Sequence, residues 1–282
     1  MDHIPRAAPT DGRRGTAGGW TTAHKRASAR SPVKLNAGES SLTCVNRITP
    51  VIQGTDSWSA HCGIPRHRHD RAYAAVIVSG GYEESGSRGR YRVRSGDVLL
   101  HRSFDAHLDR FESQGAQIVN LLLEEEPAFA LGSVADPDAI ARVAERDAVA
   151  ALDVLQMQLG PTELRVSDWP DLLARDLLDD PRLRLDEWAE RHGLAPATLS
   201  RGFRKVFTIS PAAFRAEARV QGALALIAAG DRSLAAVAAD VGFADQAHMT
   251  RAVSAVTGQP PSHWRRSNCF KTRHAHPSYN EV

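Results

Sequence analysis

The chain has 282 residues, enough for two domains, and its 42% hydrophobic and 24% charged residues are ordinary for a globular protein. No stretch approaches the roughly 18 consecutive apolar residues of a membrane-spanning helix, so a membrane protein of that class is excluded. The three cysteines, Cys44, Cys62 and Cys269, are widely spaced. They imply neither a disulfide framework nor a cysteine zinc site, and they fit the reducing cytoplasm, where we expect the protein to act.

The formal net charge of +2 hides an uneven distribution along the chain. Residues 1–42 carry 7 Lys or Arg against 3 acidic residues, residues 43–180 carry 14 against 22, and residues 181–282 carry 14 against 8. The middle of the chain is therefore acidic and its last third basic. A basic segment attracts phosphate, so the last third is the predicted contact with nucleic acid.

Residues 1–42 are predicted to be a disordered basic tail. They are rich in Ala, Gly, Ser, Thr, Arg and Pro and show no apolar periodicity. The segment also lacks the apolar core of a secretory signal. Its charges could touch DNA, but we expect a solvated tail.

Residues 43–124 have the pattern of short strands and are predicted to form a β-barrel or β-sandwich. Apolar runs at 74–78, 98–100 and 117–123 alternate with turn signals at Gly80-Gly81 and at Ser95-Gly96-Asp97. We expect the first run to end at Gly80-Gly81.

Histidines in this region are candidate metal ligands: His67, His69 and His107. His67 and His69 stand two positions apart, hence on the same face of a strand, where both could meet one ion. Three interpretations stay open, namely that these histidines pack in the core, hydrogen-bond an effector, or bind a divalent cation such as Zn, Ni or Fe. Tyr73 and Phe104 are predicted to border the same cavity as His107, although core packing is the commoner role of a single aromatic. Trp58 and His101 are secondary candidates.

Residues 125–180 are predicted to be helical. One helix begins at Asp136-Pro137, a second ends at Gly160-Pro161, and a third precedes Asp180-Pro181, the predicted domain boundary. Their apolar positions are Ile140 and Val143 in the first, Val149, Leu152 and Leu155 in the second, and Leu172, Leu173 and Leu177 in the third. The first two helices either pack on the barrel or form a dimer interface.

Residues 181–267 contain one helical arrangement twice. A short amphipathic helix ends four residues after a small alanine, at Gly193 in the first copy and at Gly242 in the second, and another helix follows. The predicted buried positions of the following helices are Leu199, Phe203 and Val206, then Met249, Val253 and Val256. Their outer faces mix small side chains, hydroxyls and cations. One copy alone would fit a hairpin with a solvated basic face, but two copies favour insertion into DNA grooves.

A continuous helix from Pro211 to Ala229 is predicted between the two copies. Ser210 is a suitable N-cap and Gly230 a suitable C-cap. At about 1.5 Å per residue, such a helix holds the copies roughly 28 Å apart. One turn of B-DNA is about 34 Å, so one chain could place two helices in successive major grooves.

The segment from Leu185 to Arg266, with its ending GQPPSHWR, resembles the DNA-binding domain of the AraC family of bacterial transcription regulators. In that family two helix-turn-helix units are joined by a long helix. The resemblance implies that Ala197, Ser200 and Arg201 read bases, with Arg204 and Lys205 near the DNA backbone. It implies a second base-reading set of Gln246, Ala247, Thr250 and Arg251. Since Ala197 and Ser200 are small where some relatives carry larger side chains, readout by the first unit should rest mainly on Arg201.

The middle region resembles the cupin barrel, which the AraC family often places before its DNA-binding domain. Gly63, His67, His69 and Gly80 hold places of the first cupin motif, and Gly96, Asp97 and His107 hold places of the second. Tyr73 stands at the usual glutamate, and Arg102 and Phe104 at the usual proline and glycine. The missing carboxylate argues against cupin-type oxygenase chemistry.

The sequence therefore predicts an α+β protein of two domains, with a cupin-like β-barrel at residues 43–124, helices at 125–180, an all-α double helix-turn-helix at 181–267 and a tail at 268–282. We expect a sequence-specific transcription regulator rather than an enzyme, with DNA affinity modulated by an effector in the barrel. The implied partners are double-stranded DNA, a small-molecule effector and a second copy, and RNA polymerase is a further candidate. The alternatives are a metal-responsive regulator using His67, His69 and His107, and a metal-dependent cupin enzyme.

Overall fold

The computed structural model describes residues 48–162, 168–180 and 182–265. The predicted tails at 1–42 and 268–282 lie outside the described residues, as do 43–47 of the predicted barrel and Pro181 of the predicted boundary. Residues 48–162 are called the sheet domain below, and residues 168–265 the helical domain. No described helix is long and apolar enough to cross a membrane.

The sheet domain is built on a single antiparallel sheet. Its strands are β1 (Gly54–Trp58), β2 (Gly63–Arg68), β3 (Tyr73–Gly86), β4 (Gly89–Arg94), β5 (Asp97–His101), β6 (Ala106–Leu122), β7 (Leu131–Ser133) and β8 (Gly160–Pro161). The order is β1-β6-β3-β5-β7-β8, with β2 also paired to β6 and β4 to β3. The strand-rich region is thus confirmed, while its assignment to the cupin barrel stays a prediction.

The strand β3 does not end at Gly80-Gly81, and this part of the prediction was wrong. It runs on to Gly86 through register shifts between Ile77 and Ser79 and between Gly80 and Tyr82. Gly80 has a φ of +71°, and a Cβ there would lie 2.0 Å from the Gly115 carbonyl oxygen, so only glycine fits. The two glycines bend the strand instead of ending it. The predicted turn at Ser95-Gly96 does separate β4 from β5.

The two faces of the sheet are buried in different ways. Tyr73, Ala75 and Ile77 of β3 pack on one face with Tyr82, Tyr91, Leu99 and Phe111. The alternate residues Ala74 and Val76 pack on the other face, under the two helices that follow the sheet. This alternation follows from the two-residue period of a strand and separates an inner aromatic core from an outer aliphatic one.

The helices α1 (Pro137–Ala144) and α2 (Ala148–Gln158) form a layer on the sheet. Asp136 caps α1 by accepting a hydrogen bond from the Ala139 amide at 2.8 Å. Ile140, Ala151 and Leu155 are buried in the outer core, so packing on the sheet is the role that the structure gives this pair. Val149, predicted in the apolar stripe, is 71% exposed. A dimer interface on the outer side of α2 stays a prediction.

The helical domain contains six named helices in its described residues. They are α3 (Trp169–Asp179), α4 (Leu185–Arg191), α5 (Pro196–Phe207), α6 (Pro211–Ala229), α7 (Leu234–Asp240) and α8 (Gln246–Thr257). The bounds of α6 match the prediction. The Ser210 hydroxyl accepts a hydrogen bond from the Ala213 amide, and Gly230 ends the helix in the left-handed region at φ +83°.

Helix α3 belongs to the helical domain, which corrects the predicted boundary at Asp180-Pro181. Leu173, Ala174 and Leu177 pack with Trp188 and three phenylalanines of α5 and α6, namely Phe203, Phe207 and Phe214. The Trp188 indole also donates a hydrogen bond to Asp176 at 2.8 Å. Apolar burial holds α3 against the first helical unit, so the domain begins before Trp169 rather than after Asp180. In α5, Phe207 is fully buried, whereas the predicted Val206 is only half-buried.

Replacing Leu177 by Ala should lower the free energy of unfolding by about 2–5 kcal/mol, because a fully buried leucine leaves a cavity. Chemical denaturation of the full chain measures this. Arg175→Ala, on the exposed side of the same helix, is the matched control and should change stability by about 0.5 kcal/mol or less. Equal, small effects of both substitutions would contradict the placement of α3 in this core.

Candidate DNA interface and histidine cluster

The first helix-turn-helix unit consists of α4 and α5. Gly193 makes the turn with a φ of +64°, and Pro196 occupies the first turn of α5, where its missing amide hydrogen costs no hydrogen bond. Leu199, Phe203 and Phe207 face the core. The predicted DNA-facing residues are all exposed: Ala197, Ser200, Arg201, Arg204 and Lys205.

The second unit consists of α7 and α8 and repeats this geometry. Gly242 has a φ of +80°, and Asp245 caps α8 by accepting a hydrogen bond from the His248 amide at 2.6 Å. Met249 and Val253 are fully buried. Of the predicted DNA-facing residues, Gln246, Ala247 and Arg251 are exposed, and Thr250 is half-buried.

Both second helices present a surface suited to a polyanion. Helix α5 carries Arg201, Arg204 and Lys205, helix α8 carries Arg251, and neither helix contains an acidic residue. Exposed cations without neighbouring carboxylates on the same helix keep their attraction for phosphate. The long helix α6 connects the two units, so their spacing is set by a rigid element.

The sheet domain contacts the helical domain without covering these exposed residues. Arg66 donates a hydrogen bond to the Phe207 carbonyl at 3.4 Å, and Arg110 donates to the Val206 carbonyl at 3.5 Å. Arg90 of β4 binds both carboxylate oxygens of Asp171 in α3, at 2.8 and 2.7 Å. The arginines thus hold the carboxy-terminal end of α5 and the start of α3.

One largely buried carboxylate of α6 accepts three hydrogen bonds from the sheet domain. Glu217 accepts hydrogen bonds from Arg66, from Arg68 at 3.4 Å and from the Ser87 hydroxyl at 3.1 Å. The side chains of Arg66, Arg68 and Glu217 are only 4%, 3% and 11% exposed. We call these three side chains the Glu217 contact. Sequence analysis missed this contact, because Glu217 lies 151 and 149 positions from the two arginines.

The strand β2 turns its alternate side chains to opposite sides. Arg66 and Arg68 reach Glu217, whereas His67 lies between them and points to the other face. His67 is the direct cross-strand neighbour of His107 on β6. Register therefore brings together two of the three histidines that the sequence singled out, and their rings lie 4.3 Å apart between centroids.

The imidazoles of His67 and His69 face each other through Nε2, at 3.1 Å. Nδ1 of His67 lies 2.9 Å from the Pro65 carbonyl oxygen, and Nδ1 of His69 lies 2.7 Å from the Thr49 carbonyl oxygen. A carbonyl oxygen only accepts hydrogen bonds, so each Nδ1 must carry the hydrogen. In the neutral rings both Nε2 atoms then hold lone pairs that point at one another. Two such lone pairs repel unless a proton or a cation lies between them.

Residues that sequence analysis ranked low or missed complete the cluster. His101 stacks on Tyr73, its cross-strand neighbour, at a centroid distance of 4.3 Å. The Glu84 carboxylate lies 3.5 Å from His101 Nε2, and Asp109, the cross-strand neighbour of Glu84, lies 4.0 Å from His107 Nε2. Glu84 was missed because β3 was expected to end before it. The cupin motif position at Tyr73 lacks a carboxylate, as the sequence indicates, but Glu84 and Asp109 bring two carboxylates to the cluster from other positions.

Burial sets the protonation of the cluster. It lowers the pKa of His101 and His107 well below the ordinary histidine range and lowers the pKa of His69 as well. It raises the pKa of the Asp109 carboxyl to about 8, and it raises that of Glu84 well above its usual range, with repulsion from Asp109 as a further cause. Neutral imidazoles are the form that binds a metal ion.

Tyr73 and Phe104 do not line one common cavity. The Tyr73 hydroxyl lies 3.4 Å from His107 Nε2, within the cluster. The Phe104 ring instead packs edge-on against Trp264 of the helical domain, at 5.3 Å between centroids. Phe104 is therefore part of the contact between the domains. Trp58 stacks on Phe111 at 5.2 Å, which is a core contact.

A family model described as a helix-turn-helix domain matches residues 188–267. The match spans α5 to α8 and the end of α4, which are the elements that form the two units. Comparison with curated proteins gave no match.

Among solved structures, the chain is similar to the C-terminal domain of AraT, a response regulator from Geobacillus stearothermophilus. That likeness has 21% identity, covers 42% of this chain and 95% of that chain, and has a TM-score of 0.35. A probable AraC family transcriptional regulator from Rhodopseudomonas palustris is similar at 20% identity over 34% of this chain and 93% of that chain, with a TM-score of 0.33. Unsaturated fatty acid bound ToxT from Vibrio cholerae is similar at 10% identity over 75% of this chain and 93% of that chain, with a TM-score of 0.37.

The family match and the observed geometry agree on the same residues. Two helical units have tight glycine turns, exposed basic second helices and a stiff connecting helix. Residues 188–267 therefore belong to a helix-turn-helix domain, the kind of unit that binds DNA.

Proposed function

We propose that this protein is a sequence-specific transcription regulator of the AraC type, whose affinity for DNA changes when a divalent cation binds to His67, His69 and His107. The observation that carries the proposal is the pair of Nε2 atoms of His67 and His69, which face each other at 3.1 Å. Both rings are oriented by Nδ1–H bonds to backbone carbonyls, the arrangement that metal-binding histidines almost always have. A cation between the Nε2 atoms would remove the repulsion of their lone pairs.

The size of the site supports an ion rather than an organic molecule. One candidate ligand atom from each of the three histidines lies within 4.8 Å of the others. Bonds of about 2.0–2.1 Å from each nitrogen to one ion require the nitrogens to be slightly closer together than this, and small movements of the side chains would bring them there. Three imidazole ligands suit Zn, Ni or Fe.

An organic effector is the second candidate, and a cavity between the two domains favours it. Its volume is about 440 Å³, within the range of small-molecule sites. Arg88 and Arg102 line it from the sheet domain, and Gln221 of α6 lines it from the helical domain. A compound bound there would touch α6 directly, and its effect on DNA binding would survive removal of metal.

We propose that exposed residues of α5 and α8 contact DNA. Arg201 and Arg251 have the planar side chain that suits the guanine edge, and Gln246 suits adenine. Arg204 and Lys205 lie on the same exposed side of α5 and are proposed phosphate contacts. Homodimer formation and contact with RNA polymerase stay predictions.

The Glu217 contact is the proposed route from the cation to the DNA. An ion can shift DNA affinity only if its own affinity differs between two conformations. An ion that draws His67 and His69 together acts on the strand whose next side chains, Arg66 and Arg68, hold Glu217 of α6. Helix α6 joins both DNA-binding units, so a shift of β2 reaches both.

Metal removal should change the DNA dissociation constant by about 5–150-fold, the usual size of such a coupling. The measurement is titration of a DNA site, selected from a random-sequence library, with zinc-loaded and chelated protein. A variant with His67→Ala and His69→Ala should show no difference between the two states, and His61→Asn, at an exposed histidine of the same domain, should behave as the wild type. Equal affinities of loaded and chelated wild type would contradict the proposal. Turnover of a substrate by loaded protein, lost on His69→Ala, would instead indicate a metal-dependent enzyme.

Replacing Arg201 or Arg251 by Ala should cost about 1–3 kcal/mol of binding free energy and relax the preference at one base position. Binding to the selected site and to its single-base variants measures both effects. Lys205→Ala should weaken all sequences alike and lower the slope of affinity against salt by about one. Arg191→Ala, at an exposed residue of α4, is the control and should leave the base preference unchanged. Uniform losses for Arg201 and Arg251 would make them phosphate contacts.

Glu217→Ala should lower the free energy of unfolding by about 3–5 kcal/mol, because two buried guanidinium groups lose the carboxylate that balances their charge. Glu187→Ala, which breaks the exposed Arg184–Glu187 pair at 2.8 Å, should cost less than about 1 kcal/mol. Denaturation experiments compare the two. The milder Glu217→Gln variant should stay folded and lose the metal dependence of DNA binding, and retention of that dependence would rule out this route.

A further inference from the structure

We propose that Glu84, His101 and His107 form a second cation site, beside the one made with His67 and His69. The inference rests on the proposed function in one respect, because both sites use His107. It adds a ligand set that the sequence motifs did not mark, with a carboxylate in place of an imidazole. This set suits Fe²⁺, Mn²⁺ or Zn²⁺.

The three side chains converge from three different strands. Glu84 lies on β3, His101 on β5 and His107 on β6, and one candidate ligand atom from each lies within 4.8 Å of the others. Glu84 Oε2 and His101 Nε2 are already 3.5 Å apart. All three residues line the small cavity of the inner core. The site is thus fixed by sheet register rather than by flexible loops.

The observation that points to a ligand is the lack of hydrogen bonds on buried ring nitrogens. His101 Nε2 and His107 Nδ1 have no hydrogen-bond partner in the part of the chain that the structure describes. The His101 side chain is 7% exposed and that of Glu84 is 5% exposed. A buried polar atom without a partner is costly, and native proteins rarely leave one. A cation would give both groups a partner.

An ordinary buried ion pair accounts for this arrangement less well. Such a pair needs a hydrogen bond between the imidazole and the carboxylate, yet Glu84 Oε2 and His101 Nε2 are 3.5 Å apart, and His101 Nε2 has no hydrogen-bond partner among the described residues. Asp109 adds a second buried carboxylate opposite Glu84. Arg66, a cation that acts on Glu84, is already engaged by Glu217. A dication would bind the Glu84 carboxylate and the two imidazoles together.

Stacking gives Tyr73 a positioning role in this second site. Its ring lies nearly parallel to the His101 ring, at 10°, and its hydroxyl lies 3.4 Å from His107 Nε2. The tyrosine at the usual glutamate position therefore orients two imidazoles, and Glu84 supplies the carboxylate from further along the same strand.

Cobalt(II) titration of the full chain tests the site, since bound cobalt absorbs visible light according to its ligands. The variant with His67→Ala and His69→Ala keeps the second site and should bind about one equivalent of cobalt. Adding Glu84→Gln should weaken that binding at least tenfold. Adding Glu83→Gln, a neighbouring carboxylate of β3 that faces Arg92 and Arg110 instead, should leave it unchanged.

The second site is overturned if the folded double variant, checked by circular dichroism, binds no cobalt, or if Glu84→Gln and Glu83→Gln act alike. Failure of the proposed function has a different signature. In that case cobalt binding follows the pattern above, but the DNA affinity of the wild type is the same with and without metal. If the double variant binds no cobalt while the DNA affinity of the wild type depends on metal, the second site is refuted and the first site is supported.

Discussion

The contact of Glu217 with Arg66 and Arg68 is the interaction on which the relation between the two domains depends. One carboxylate of α6 meets two guanidinium groups of β2, in a place where all three are almost removed from water. Taking these charges out of water costs several kcal/mol, and their mutual attraction offsets much of that cost. The contact is therefore sensitive to geometry, because a small displacement of β2 separates buried charges of opposite sign.

The two-residue period of strand β2 links the Glu217 contact to the histidine cluster. Side chains 66 and 68 point to the helical domain, and side chain 67 points to the histidine cluster. A ligand of the histidines therefore acts on the same segment of β2, residues 66–68, that contacts α6. The helix in turn fixes the spacing of the two DNA-binding units, so the sheet domain needs no contact with DNA to influence its binding.

Local signals in the sequence were sufficient where the structure depends on neighbouring residues. Ser210, Pro211 and Gly230 mark the ends of α6 by side-chain capping and backbone conformation, and the structure has those ends. The glycine turns of the two units were found for the same reason. The His67–His69 spacing located part of the cluster, because two positions on a strand always share a face.

The sequence was insufficient where distant residues decide. The strand β3 continues past Gly80 because the Gly115 carbonyl lies beside it, and this hid Glu84. Helix α3 packs in the helical core through Leu173 and Leu177. Apolar periodicity shows that a helix has a buried face, but it does not show which domain that face packs against. Nothing in the sequence around Glu217 distinguishes it from other helical acids, and its contact with β2 appears only in the fold. Long-range packing and register, rather than local propensity, supplied these features.

The most direct test of cation control is the affinity of the protein for zinc with and without its DNA site. Coupling between two binding sites is reciprocal, so DNA must change the zinc dissociation constant by the same factor by which zinc changes the DNA dissociation constant. We expect equal factors in the wild type. A zinc affinity that is unchanged by saturating DNA would contradict the coupling of the histidine cluster to the DNA-binding helices.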